Sequence, residues 1–480
     1  MRRFFVKNLL FVLAVNLLVK PVWIFLIDRT VQNRVGHASY GTYQALFNLG
    51  IIFQILLDFG LSYYNTRIIS QNPEKLKSIF PGLLSARLVL VGLYAVIVSA
   101  IALAAGYNHS ELLLLAGILL IQVLNSFIQF LRSNIAALHR FKADGILSVT
   151  DRLLMIIICG SLLFIPATAQ HFKIEWFVAT QVVCYAIAVI IGFMLLKRIS
   201  KINLSLSFDT KQVGEIIKSG LPYATLIFMM AIHTRADTVL LERLSADGKV
   251  QAGIYAAAYR LLDVGNMFGL MFAGMLLPMF GHMLVQKEDV YPIIKLCVNI
   301  MLPVAFIMSV ASFYFGNNIM HLLYTSATDA DGRVFALLMA SFPAYCMMYI
   351  YSTLLTANGN LSLLNKIAVA GVIINLSLNS ILIPRYHAAG AAFTAFVTQS
   401  TLAICFMFFS GKNVGLPRST RWIAAHASFL LLIALLGYAV RILPFSWHIQ
   451  IVAFAAISFP CLFIFRFISV AAIQKLINKK

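Results

Sequence analysis

Six basic side chains, Lys20, Arg87, Arg132, Arg152, Arg235 and Arg260, sit inside long apolar runs instead of the polar stretches between them. An ionised group within a bilayer is costly unless it is paired or faces water, so each marks a candidate functional position. Four acids, Asp58, Asp151, Asp237 and Asp263, lie at comparable depth, which leaves an excess of positive charge. Guanidinium groups grip phosphate through two parallel hydrogen bonds, whereas a lysine acts as a point charge. A hydrated path lined this way suits an anionic, phosphorylated substrate. Local pairing is the competing use of the same groups. Arg260 and Asp263 are three apart on one helix face, Arg235 and Asp237 are near neighbours, and Asp58 can meet Arg87 or Arg152 if their helices touch. The four acids are equally the candidates for coupling to a proton or a sodium ion. His233 is the one histidine well inside an apolar run, and a lone one reads as structural.

Membrane-spanning helices have to position these groups. Hydrophobic residues make up 61% of the 480 and charged residues 11%, against about 45–50% and about 25% in soluble domains. With about 20 apolar residues per span, the chain reads as an all-α polytopic membrane protein of about 14 transmembrane helices. The apolar runs lie near residues 7–28, 42–65, 81–105, 111–138, 146–166, 174–196, 216–241, 252–280, 292–316, 333–356, 363–383, 389–410, 422–442 and 447–467. They are too long for the alternating strands of about 10 residues that build outer-membrane barrels. Met1-Arg2-Arg3 ahead of an apolar run imitates a signal peptide, but the run lacks a small-residue cleavage site and reads as a retained first helix. Six cysteines lie in apolar runs without C-x-x-C spacing, so they read as core residues and neither disulfides nor metal ligands. Pro21, Pro222, Pro278, Pro303 and Pro343 are candidate kinks, as hinge or as scaffold.

The net charge of +20 would suit nucleic acid in a soluble protein. Here the basic clusters (Arg67/Lys75/Lys77, Arg140/Lys142, Lys197/Arg198/Lys201/Lys211, Lys412/Arg418/Arg421 and Lys475/Lys479/Lys480) fall in alternate loops, the signature of the cytoplasmic side. The charge therefore reads as topology, with both termini cytoplasmic and no nucleic-acid partner. The longest basic linker divides the chain into 1–200 (helices 1–6), 201–215 (linker), 216–412 (helices 7–12) and 413–480 (helices 13–14 and tail). Gly41-Thr42-Tyr43-Gln44-Ala45 is echoed by Gly253-Ile254-Tyr255-Ala256-Ala257 six helices later, as in a parallel repeat. The sequence holds neither a P-loop nor an H-E-x-x-H motif, and its longest outside loop, Asn317 to Asp331, is short for holding a glycan acceptor. A transporter without a cofactor is expected, and not an enzyme.

Three stretches carry a resemblance. Gly41-Thr42-Tyr43 leads to Leu57-Asp58-Phe59-Gly60-Leu61 and Arg67. Arg235-Ala236-Asp237 precedes the run Ala252-Gly253-Ile254-Tyr255-Ala256-Ala257-Ala258-Tyr259-Arg260. Ala357-Asn358-Gly359-Asn360 is followed by Asn375, Ile383-Pro384-Arg385-Tyr386 and Gly390-Ala391-Ala392. Together they resemble the Wzx-type lipid-linked oligosaccharide flippases, the polysaccharide-biosynthesis membrane proteins of the multidrug/oligosaccharidyl-lipid/polysaccharide exporter superfamily. The usual glycine after Tyr386 is His387 here. The resemblance implies two six-helix lobes in a V plus two C-terminal helices. It also implies alternating-access transfer of a polyprenyl-pyrophosphate-linked oligosaccharide from the inner to the outer leaflet of a bacterial cytoplasmic membrane. The partners implied are the lipid-linked anionic glycan, membrane lipid and other glycan-assembly proteins, with the chain working as a monomer. An ion-coupled multidrug exporter of the same fold is the alternative, although cationic drugs call for excess acid. A membrane glycan polymerase or ligase is the third reading.

Overall fold

The computed structural model describes residues 18–19, 21–59, 61, 69, 73–138, 140–200, 210–417 and 419–467, with backbone alone at 141 and 210–223. Lys20, Gly60, Arg67, Arg418, residues 201–209 of the linker and the basic tail lie outside the described residues. No strand occurs among those described. The longer helices among the described residues follow in order, the four-residue helix Pro166–Ala169 left unlabelled. α1 spans 21–35, π-helical over Trp23–Asp28, and α2 spans 37–52. α3 is Leu76–Ala104, α4 His109–Ala137, α5 Phe141–Phe164, α6 Ile174–Ser200, α7 Thr210–Leu244 and α8 Gly248–Val285. α9 is Tyr291–Leu323, α10 Asp329–Ala357, α11 361–386, α12 388–414, α13 Thr420–Ile442 and α14 Trp447–Ile464. Eleven helical stretches among the described residues are long and apolar enough to cross a membrane, α11 and α12 counting as one. The expected polytopic helical membrane fold is therefore present.

Local chemistry sets the ends of these helices. Asn108 and Glu111 form a capping box at the start of α4, and Thr328 and Asp331 do the same for α10, each satisfying backbone donors that the first turn leaves over. Gly415 closes α12 in the left-handed conformation (φ 74°). α1 runs past the expected end at residue 28 because 29–35, although polar, still suits a helix, and the turn comes at Gly36 (φ 78°). α2 stops short of the expected 65. A 3₁₀ turn over Gln54–Leu57 follows Ile52, and Phe59 takes φ 41°, so the Asp58-Phe59 motif marks a helix break. α10 breaks at Ser341, where Pro343 opens the next stretch.

The described residues form two compact units, Met1–Glu242 and Arg243–Lys480. In the first, α2 and α3 are drawn together where the Tyr94 hydroxyl donates to the Gly50 carbonyl (3.1 Å). A Cβ at residue 50 would lie 2.9 Å from that hydroxyl, so the close approach needs glycine. In the second, α13 and α14 pack on α9 through Phe315, Phe429, Ile433 and Phe454, with the Arg441 guanidinium 5.8 Å from the Phe315 ring.

α11 and α12 meet at His387 (φ 51°, ψ −132°), a conformation that favours glycine. The imidazole Nδ1 lies 2.7 Å from Ser245 Oγ, and Gln251 Oε1 accepts from the Ala388 amide (3.2 Å). The backbone strain costs about 1–3 kcal/mol, and one neutral hydrogen bond returns about 0.5–1.5 kcal/mol. His387→Gly exchanges strain for the lost bond and should melt at or above the parent temperature in detergent. His387→Ala keeps the strain, loses the bond and should melt lower. Equal melting of the two variants would show that residue 387 carries no strain.

Candidate functional site

The helix break after α2 turns Asp58 toward α3. There it pairs with Arg87, whose Nη1 also donates to Ser126 Oγ (2.9 Å) and to the Ser126 carbonyl (3.3 Å) on α4. The Phe130 ring lies 4.4 Å from the guanidinium carbon. The two partners differ in environment: Arg87 is 2% exposed and Asp58 31%. The arginine is thus an internal brace joining α2, α3 and α4, and the carboxylate is the part of the pair that reaches solvent.

A second cluster joins α1, α2, α5 and α6. Arg152 lies beside Asp151 (Nε to Oδ2, 3.6 Å), longer than a good hydrogen bond, and its side chain is 28% exposed. The Trp23 and Tyr185 rings lie 5.2 Å and 5.6 Å from its guanidinium carbon, within cation–π range. Around it Tyr40 donates to Asp28 Oδ1 (2.9 Å), Gln181 donates to the Tyr43 hydroxyl oxygen (3.0 Å), and Trp23 stacks on Phe177. The Trp23 and Tyr185 rings flank this guanidinium, and the Tyr185 hydroxyl shares hydrogen bonds with Arg152 and Asp151.

The other expected residues are placed as follows. Arg132 Nε donates to Asp144 Oδ1 (2.8 Å) across the turn between α4 and α5. Arg260, buried on α8, donates to the Tyr324 hydroxyl (3.0 Å). Arg235 is half-buried on α7, Asp237 is buried two residues on, and Asp263 is half-buried on α8. His233 Nδ1 bonds the Met230 carbonyl of its own helix (2.8 Å). Within the first unit, Asp58 and Arg87 come together as one cluster, and Asp151 and Arg152 as another.

Deep charge does not mark several further polar groups. A recess of about 340 Å³ opens beside Asp58, lined in addition by Gln54, Gln129 and Ser126 and by Ile51, Ile55 and Ile227. Gln122, Ser126 and Gln129 fall on one face of α4 at helical spacing, a polar stripe in an apolar helix. At the other end of α4 and α7, the Tyr107 hydroxyl donates to the buried Glu242 carboxylate (2.5 Å); residue 242 sits at the rim of its apolar run and reads as loop. In the second unit α11 and α12 bury Asn375, Asn379, Thr394, Thr398 and Gln399.

Comparison with known proteins adds the following. A family model described as polysaccharide biosynthesis protein matches residues 5–284. No curated protein sequence matches. Among solved structures, a lipid II flippase MurJ in an inward closed conformation aligns with TM-score 0.71 and 15% identity, over 98% of this chain and 100% of that one. An inward-facing multidrug resistance MATE family transporter of the MOP superfamily aligns with TM-score 0.63 and 12% identity, over 82% and 94%. A MOP superfamily transporter from Pyrococcus furiosus aligns with TM-score 0.54 and 15% identity, over 85% and 94%. At these identities the likeness is one of fold.

Proposed function

From the premise that the chain belongs to the polysaccharide biosynthesis protein family, we propose that it is a flippase for a polyprenyl-pyrophosphate-linked oligosaccharide. It carries the glycan from the inner to the outer leaflet of a bacterial cytoplasmic membrane by alternating access, between lobes made of 1–200 and 216–412 joined by 201–215. The observation that carries this reading is the extent of the fold match. The chain is covered over 98% by the lipid II flippase and over 82% by the MATE transporter. Arg152, ringed by aromatics and partly open, is the group best suited to hold a phosphate. Lys20, Arg132, Arg235 and Arg260 supply further positive charge along the path. Asp237 and Asp263 are the candidates for ion coupling. No step requires bond chemistry by the protein.

The test is glycan export in a strain lacking the gene. Loss of surface glycan with accumulation of the lipid-linked precursor, both restored by the intact gene, is the expected result. Normal export accompanied by hypersensitivity to cationic drugs would transfer the assignment to a multidrug exporter. Topology is tested separately. Reporter fusions after Lys201, Lys287 and Lys412 should report cytoplasm, and fusions after Asn108 and Asn318 the outside. An outside signal at Lys201 would overturn the positive-inside assignment and the lobe division with it.

A further inference from the structure

Phe177, Gln181 and Tyr185 recur every four residues along α6, so they share one face of that helix. Each meets a different part of the Arg152 cluster. Phe177 stacks on the Trp23 ring of α1 and meets the Tyr43 ring of α2 edge-on, and the Gln181 amide donates to the Tyr43 hydroxyl oxygen. Tyr185, which is buried, reaches both Asp151 and Arg152 on α5 through its hydroxyl. A guanidinium only donates, an ionised carboxylate only accepts, and a phenol does both. The bonds therefore run one way: Arg152 donates to the Tyr185 oxygen, and Tyr185 donates to Asp151.

This bridge meets a geometric problem. Adjacent residues on a helix do not face each other, and Arg152 Nε stands 3.6 Å from Asp151 Oδ2, too long for a good direct bond. Without the hydroxyl, Arg152 is the donor on which the buried carboxylate would draw. With it, Asp151 has a donor of its own, and the guanidinium faces a neutral oxygen. A phosphate arriving at Arg152 then displaces a hydroxyl and not a counter-ion. Charge-assisted hydrogen bonds are the stronger kind, so that exchange runs toward the anion.

We propose that Tyr185 is a positioning residue for anion binding, whose hydroxyl occupies Asp151 and so keeps the Arg152 guanidinium open to the pyrophosphate of the substrate. The proposal rests on the flippase reading for the identity of that anion. The Tyr185 ring has a separate part, lying 5.6 Å from the guanidinium carbon. Tyr185→Phe therefore removes the bridge and leaves the ring in place.

The experiment uses the purified full-length protein in detergent, with geranyl pyrophosphate as a soluble prenyl pyrophosphate probe. Binding is read by microcalorimetry, and melting curves without ligand verify that each variant is folded. The parent should bind, and Tyr185→Phe should bind about tenfold more weakly, the effect of one charge-assisted hydrogen bond lost to competition. Tyr185→Phe with Asp151→Asn should return to within about threefold of the parent, because the acid that captured the arginine is gone. In an Arg152→Gln background, Tyr185→Phe should weaken binding no further, since the tyrosine acts through the arginine. Asp151→Asn alone should bind at least as tightly as the parent, which tests the same point should Tyr185→Phe fail to fold. Absence of binding by the parent, parent-like binding by Tyr185→Phe, or weaker binding by a folded Asp151→Asn variant would each overturn the proposal. So would a double variant as weak as Tyr185→Phe, which is the mark of a tyrosine that only packs. The export assay judges the flippase reading independently. A protein that shows this binding pattern but fails that assay keeps the role of Tyr185 and loses the flippase assignment. One that exports glycan while Tyr185→Phe binds as the parent does loses the role of Tyr185 alone.

Discussion

Asp58→Asn should remove most of the folded protein from the membrane, at a cost of about 3–5 kcal/mol, the range for breaking a buried ion pair from one side. The reason is the asymmetry of the pair. Arg87 is 2% exposed, so neutralising its partner leaves a buried guanidinium beside Ser126 and Phe130 without the counter-charge of Asp58. Arg87→Gln should cost less, because the Asp58 carboxylate left behind is 31% exposed and can be hydrated. The double variant Asp58→Asn, Arg87→Gln leaves two neutral groups that can bond one another, and it should recover most of the lost stability. Membrane abundance and the melting temperature in detergent measure all three. The coupling between the two positions is the decisive quantity. Additive losses, or a single Asp58→Asn variant as stable as the parent, would show that the pair is not the brace joining α2, α3 and α4.

The polytopic helical architecture was legible in the sequence because a bilayer allows little else for apolar runs of this length. The ends of the helices were less so. Hydropathy ended the first helix near residue 28 because Arg29, Gln32, Asn33 and Arg34 are polar, although helical backbone tolerates them. It carried the second helix to 65 because Phe59 and Leu61 are apolar, although the α-helix ends at Ile52 and a 3₁₀ turn follows. A hydropathy window reports transfer energy and is blind to φ and ψ. The same limit decides which site residues were visible. Deep arginines stand out because charge is expensive in lipid. Gln54, Gln122 and Gln129 barely alter a hydropathy profile, and Glu242 lies at the edge of a span. Pairing is a tertiary property: the sequence offers Asp58 either Arg87 or Arg152, and the helix break aims it at Arg87. At His387 the sequence did carry a structural signal, since a position occupied by glycine in the resembling family is one where a positive φ is expected.

For Arg152, substitution should separate transport from folding. Arg152→Gln removes the charge, and Arg152→Lys keeps it while losing the planar fork that grips phosphate by two bonds. Export should fall in both, further in Gln, while abundance in the membrane stays near the parent level. A charge-assisted phosphate contact is worth about 1.5–3 kcal/mol, and at 1.4 kcal/mol per decade this is about a ten- to hundredfold loss of apparent affinity. The expectation that folding survives comes from the geometry. The separation of 3.6 Å from Asp151 is loose, and Asp151, itself buried, has the Tyr185 hydroxyl as a second partner, so it does not depend on the arginine alone. The opposing reading makes Arg152 a counter-ion for Asp151. It predicts that Arg152→Gln lowers abundance first and that Arg152→Gln with Asp151→Asn restores abundance and export together. Restored export in that double variant would remove the phosphate role from Arg152. Export that stays low in a stable double variant is what a phosphate grip requires. Trp23→Leu gives a further discrimination, because the ring orients the guanidinium without contributing charge. It should raise the substrate concentration needed for half-maximal export and leave the maximal rate little changed, as expected when a binding group is mispositioned and not lost.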